Sequence, residues 1–217
     1  MAANPKKSTP QSHPSRPRRG IIFILAAPSG AGKTTIWRGA LKAIEGLEFS
    51  VSLTTRGPRE GERPGLDYHF VTEEEFNRRL ESGELAEYDR HFDASYGTPR
   101  APLEAAVREG RDILLDIDVE GARQIRARYP NESVAVFVLP PSFEDLEERL
   151  RGRRTENEEA IQRRLRRALE EARQFPDYDY LIINHRVEQS IAELAAIVSA
   201  ERLKTSRLSG KIAPWQS

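Results

Sequence analysis

Cysteine is absent from all 217 residues, which excludes disulfides and thiolate-held metal sites. Histidine is scarce: His13, His69, His91 and His185 are scattered, without the close spacing of ligand pairs, so a zinc site is not expected. Net charge is also missing. Thirty-four basic residues balance 34 acidic ones, leaving no global electrostatic case for nucleic acid as a partner. No apolar run approaches the roughly 20 residues that cross a bilayer, so no membrane association is expected. Residues 1–20, MAANPKKSTPQSHPSRPRRG, lack both acids and an apolar core segment, so a secretory signal is not expected. Organellar transit peptides share the lack of acids, but these prolines oppose the amphipathic helix such peptides use. The expectation is a disordered tail over residues 1–19 of a cytoplasmic protein.

Apolar, β-branched runs are present, and they alternate with helical patterns. Residues 21–26, 112–118 (DILLDID), 133–139 (SVAVFVL) and 178–184 (YDYLIIN) read as buried strands. Helices are expected over 33–45, near 119–129, over 142–151 and from Val187 onward, where Val187, Ile191, Leu194 and Val198 form an apolar stripe. In the helix at 142–151, Ser142 and Asp145 have capping-box spacing, and Phe143, Leu146 and Leu150 are expected on one face. Near-continuous apolar strands separated by helices indicate α/β architecture, a central parallel sheet in three α/β/α layers. Two stretches break the rhythm. Residues 50–98 read as a mixed α/β insertion with a helix after Thr72, and residues 151–171 are almost wholly charged. The latter fits a solvated, salt-bridged helix or a lid whose arginines close over phosphates.

The first strand runs into APSGAGKTT (27–35). This is G-x-x-x-x-G-K-[ST] with Ala27 at the first position. Pro28, Ser29, Gly30, Ala31 and Gly32 form a loop whose backbone N–H groups can surround phosphate oxygens, in front of a helix N-terminus. Lys33 can reach the β- and γ-phosphates, the Thr34 hydroxyl can ligate Mg²⁺, and Thr35 continues the first turn. Asp116 and Asp118 stand at the C-terminal end of an apolar strand, where α/β proteins bind ligands. A second phosphate site is suggested by Arg56 and Arg59 in a Pro/Gly turn with Tyr68 beyond it, since guanidinium forks suit a phosphate dianion. Donor and acceptor phosphates held separately is the arrangement of a nucleotide kinase. Glu87, taken alone, reads as an exposed strand acid.

APSGAGKTT, VSLTTRGPR, GLDYHF, SYGTP, LLDIDVEGA, LPPS and RLRGRRTENEEAIQRRL together resemble guanylate kinase, a P-loop nucleoside monophosphate kinase family, from about residue 20 to 206. The resemblance implies a core of residues 20–49, 99–150 and 172–207, a GMP-binding domain of residues 50–98, a helical lid of residues 151–171 and a tail of residues 208–217. It implies Mg²⁺-dependent, reversible phosphoryl transfer from ATP to GMP, giving ADP and GDP, in purine nucleotide metabolism, with dGMP as a further acceptor. By resemblance, Ser52, Glu87, Thr98 and Asp118 read guanine. Arg56, Arg59, Tyr68 and Tyr96 hold the GMP phosphate. Asp116 joins Thr34 near Mg²⁺. Arg153 and Arg164 are lid arginines closing on the triphosphate, Arg149 is a third, and Asn184 lies near adenine. The chain departs from the family pattern at Ala27, at Arg154 in place of a lid glycine, and at His185-Arg186 in place of an acidic pair. Two other readings stay open: a non-catalytic phosphopeptide-binding module of the same family, and a kinase of another phosphorylated acceptor on the same scaffold. Oligomeric state is left undetermined.

Overall fold

The structure is a computed structural model and describes residues 18–91, 94–152 and 158–208. In chain order its elements are β1 (Ile22–Ala26), α1 (Lys33–Ala43), β2 (Leu47–Phe49), β3 (Leu53–Thr54), β4 (His69–Phe70), α2 (Glu73–Glu81), β5 (Leu85–His91) and β6 (Ala94–Pro99). There follow α3 (Arg100–Arg108), β7 (Asp112–Asp116), α4 (Val119–Arg128), β8 (Ser133–Leu139), α5 (Phe143–Arg151), α6 (Glu158–Ala172), β9 (Tyr180–Ile183), α7 (Val187–Leu203) and α8 (Thr205–Leu208).

Five parallel strands form the main sheet in the order β2-β7-β1-β8-β9. Successive strand side chains point to opposite faces, and here both faces are covered. Ile21, Phe23 and Leu25 enter a cluster with Ile36, Ala40, Leu194 and Val198 of α1 and α7. Ile22 and Ile24 enter another with Leu103, Val107, Ala122 and Ile125 of α3 and α4. This is why the strand residues are apolar without alternation. The edge strand β2 was not anticipated: three residues, LEF, give too short a run to signal a strand.

The insertion is a second sheet in the order β4-β3-β6-β5. Helix α2 closes it, with Phe76 packed on Leu53 and Leu85 and Thr72 capping the Glu75 N–H. Helices α5 and α6 share a small core of Leu146, Leu150, Ile161, Leu165 and Ala168. The charged stretch therefore carries an apolar stripe and is not solvated all round. Phe143 does not join that face as expected. It is 37% exposed, because the α6 stripe meets only Leu146 and Leu150.

Residues 1–17 of the expected disordered tail lie outside the described residues, and Arg18 and Arg19 are held in place. Arg18 makes a two-pronged ion pair with Asp112 at 2.6 and 2.7 Å, and Arg19 pairs with Glu132 at 2.8 Å. Asp112, 1% exposed, also accepts from the Ile21 N–H at 2.9 Å and from Arg202 Nε at 2.7 Å. One carboxylate thus joins the chain before β1, the start of β7 and the end of α7. Asp112→Ala is expected to destabilise the fold by about 3 kcal/mol, because two cations and a backbone donor lose their acceptor. The midpoint of urea unfolding should fall accordingly. Asp112 lies at the edge of the sheet opposite the phosphate loop, so kcat of the folded variant should be unchanged. An unshifted midpoint would overturn this account.

Candidate active site

A cavity of about 390 Å³ opens at the C-terminal edge of the main sheet, between that sheet, the insertion and α6. One wall is the loop of residues 27–32. Gly30 and Gly32 have φ of 97° and 93°, a left-handed region that side-chain-bearing residues rarely adopt. At Gly32 a Cβ would also lie 2.6 Å from Asn184 Nδ2. Asn184 is buried behind the loop and donates to the Ala31 carbonyl at 2.8 Å. Ser190 Oγ in turn donates to Asn184 Oδ1 at 3.0 Å. Arg149 donates to the same Ala31 carbonyl and to that of Asn184, both at 3.3 Å. Ala27 at the family's glycine position is accommodated, with its methyl in the cluster beneath α1. Lys33 Nζ sits 2.7 Å from Asp116 Oδ1 and donates to the Ile117 carbonyl at 2.8 Å.

The facing wall comes from the insertion. Arg56 is gripped by Glu62 through two hydrogen bonds of 2.6 and 2.7 Å, and it stacks over Tyr68 at 5.0 Å. The Glu62 carboxylate also accepts from the Arg59 N–H at 2.9 Å, so one acid shapes the whole turn. The Glu62 hydrogen bond outweighs burial, which acts to lower it, and raises the Arg56 guanidinium above its ordinary value, so its charge is permanent. Tyr68 meets Tyr96 edge-on at 6.1 Å. Burial, reinforced by Asp116, pushes the Tyr68 phenol up to about 12, so it remains a hydrogen-bond donor.

Deeper in, Glu87 and Thr98 are cross-strand partners on β5 and β6, and the Thr98 hydroxyl donates to Glu87 Oε1 at 2.5 Å. Glu87 is 4% exposed, not the exposed strand acid that its local sequence suggests. Burial raises its pKa to about 7; the Thr98 hydrogen bond opposes the rise, and Asp118 and Asp89 add to it. Asp118 caps α4 through the Gly121 N–H at 2.8 Å. It too is raised to about 7, first by burial and then by a hydrogen bond with Asp89. Two acids that share a hydrogen bond must share a proton.

The cavity brings together Ala27 to Thr35, Ser52, Arg56, Arg59, Tyr68, Glu87, Tyr96, Asp116, Asp118 and Arg164, drawn from both sheets and α6. Arg164 donates to Ser29 Oγ at 2.6 Å. Thr98, Arg149 and Asn184 are not on its surface: Thr98 backs Glu87, and the other two back the phosphate loop. Arg153 and Arg154 lie outside the described residues. Sequence reasoning did not single out Glu62, Asp89, Arg167 or Glu171. Arg167 pairs with Glu171 at 2.6 Å and approaches Asp118 at 3.7 Å. Glu62, six residues after Arg56 in a turn of alternating charge, carried a readable signal. Arg167 and Glu171 were hidden in a run where nearly every residue is charged. Among the described residues, no group of three or more His, Cys, Asp or Glu side chains could hold a metal ion, and no helix is long and apolar enough to cross a membrane.

The family model described as guanylate kinase matches residues 19–201. A guanylate kinase of Paramagnetospirillum magneticum is 47% identical over 197 residues, 91% of this chain and 92% of that protein. One of Rhodopseudomonas palustris is also 47% identical, over 89% and 88% of the two chains. Among solved structures, the crystal structure of guanylate kinase from Anaplasma phagocytophilum superposes with a TM-score of 0.76 at 34% identity. That match covers 89% of this chain and 92% of the other.

Proposed function

The chain belongs to the guanylate kinase family, and from that premise we propose how its own residues carry out phosphoryl transfer from Mg·ATP to GMP. Residues 50–98 form the acceptor domain and residues 151–171 the lid. The observation that carries this reading is one cavity in which a glycine loop with Lys33 faces a buried acid, Glu87, across a cluster of arginine and tyrosine. The loop holds the triphosphate, with Asn184 and Arg149 fixing its shape from behind. Arg56, Arg59, Tyr68 and Tyr96 take the GMP phosphate. Glu87, braced by Thr98, accepts the N1 and N2 protons of guanine, and Ser52 and Asp118 complete the base site. AMP has no N1 proton and no N2 amine, so it would leave a buried acid unpaired, which such sites reject strongly. The work is placed in the cytoplasm, with dGMP as a further acceptor.

The residues present fit magnesium. Thr34 and Asp116 offer hard oxygen donors on the cavity wall, few enough to leave room for water and substrate phosphates. When bound there, the ion would neutralise phosphate charge. The acceptor phosphate is already an anion, so no general base is required, and catalysis is alignment and charge neutralisation. Lys33 and Arg164 act on the transferring group, with Arg153 assigned beside them. Closure of the lid against the acceptor domain excludes water and limits ATP hydrolysis.

Arg164→Ala is expected to lower kcat by about 10²-fold, with a smaller change in GMP affinity. Equal losses in the two would remove the transition-state role. The reading as a whole is tested by measuring ADP formation from Mg·ATP with GMP, AMP, CMP or UMP. Turnover confined to guanine nucleotides is expected. A folded protein that binds GMP without turning over would mean a binding module instead.

A further inference from the structure

Gly121, the third residue of α4, is buried and helical. A Cβ built there would lie 2.5 Å from Glu87 Oε2, 3.1 Å from its Cδ and 3.3 Å from Asp118 Oδ1. Its φ is not in the left-handed region, so the position calls for glycine because of space and not backbone freedom. One turn further, Gln124 clamps the residue that follows Glu87. Its Nε2 donates to the Tyr88 carbonyl at 2.8 Å and its Oε1 accepts from the Tyr88 N–H at 3.1 Å. The same face of α4 therefore offers a bare turn to the carboxylate and an amide clamp to the adjoining backbone. These contacts join the core to the insertion at the acid that reads the acceptor base.

We infer that Gly121 and Gln124 are positioning residues for Glu87 and set acceptor-base selectivity without touching the nucleotide. The inference rests on the reading of Glu87 given above. A methyl group at position 121 must displace the carboxylate by about 1 Å to reach ordinary van der Waals distance, and an error of that size costs about 10²-fold in rate. Alanine is the better helix former by roughly 1 kcal/mol, so loss of helix stability does not account for such an effect.

The test is a double-mutant cycle read in GMP kinetics, with the ATP KM as the internal control. Gly121→Ala is expected to lower kcat/KM for GMP by about 10²-fold and to leave the ATP KM within about twofold. In a Glu87→Asp background the carboxylate is drawn back by one carbon–carbon bond, about 1.5 Å, and the added methyl should cost less than about threefold. A glycine needed only for packing would cost the same in both backgrounds, and that result overturns the inference. Gln124→Ala is expected to raise the GMP KM about fivefold, the loss of two hydrogen bonds to one strand, with kcat nearly unchanged. If Gly121→Ala does not fold, by thermal melt, Gln124→Ala decides: an unaltered GMP KM overturns the inference. Failure of the parent protein to phosphorylate GMP would sink the functional reading before any variant is compared.

Discussion

Lys33→Ala is expected to lower kcat for GMP phosphorylation by about 10³-fold and to leave the GMP KM within about threefold. The ammonium has three donors. Asp116 and the Ile117 carbonyl take two, which aims the side chain along the cavity wall beneath the glycine loop. A positive charge fixed in advance stabilises charge on the transferring phosphoryl group without reorganisation, and there it is worth far more than in bulk water. Retention of more than about a tenth of kcat by Lys33→Ala would remove the lysine from the chemistry.

What the sequence disclosed followed the range of the interactions involved. The phosphate loop was legible because its requirements are local: left-handed glycines, a buried strand before them, and a lysine at the helix start. The three inner strands, β7, β1 and β8, were legible because burial on both faces removes polar residues from them. Of the acceptor site, the phosphate half showed in Arg56, Arg59 and Tyr68, but the base-reading half was not legible from spacing. Ser52, Glu87, Thr98 and Asp118 are spread over 67 positions, and only the resemblance to a family assembled them. Local sequence misled at Glu87, whose burial comes from α4, more than 30 residues on. It misled again at α6, where Ile161, Leu165 and Ala168 have helical spacing but sit among arginines and glutamates. Long charged side chains mask a narrow apolar stripe when it is averaged with its neighbours. Asp112 was read only as part of a strand, because its partners Arg18 and Arg202 are about 90 residues away on either side.

Glu87→Gln should lower kcat/KM for GMP by about 10³-fold, close to 4 kcal/mol, and narrow the preference for GMP over AMP. A carboxylate offers two acceptors to the two donors on the guanine edge. An amide offers one acceptor and one donor, so one hydrogen bond becomes a clash of donors in a buried site. The size and shape of the side chain are kept, and Thr98 can still donate to the remaining oxygen, so stability is not the variable being changed. The pH profile adds a second check. Burial raises the Glu87 pKa to about 7, and guanine takes the ionised form. Below about pH 7 the acid must lose its proton before it can bind. The wild-type GMP KM should therefore rise as pH falls through 7, approaching roughly tenfold per unit, and level off above it. The GMP phosphate titrates near pH 6 in both proteins and cancels from the ratio of wild-type to Glu87→Gln KM. That ratio reports Glu87 together with its charge coupling to Asp118. Parallel pH profiles would mean that another group reads the base.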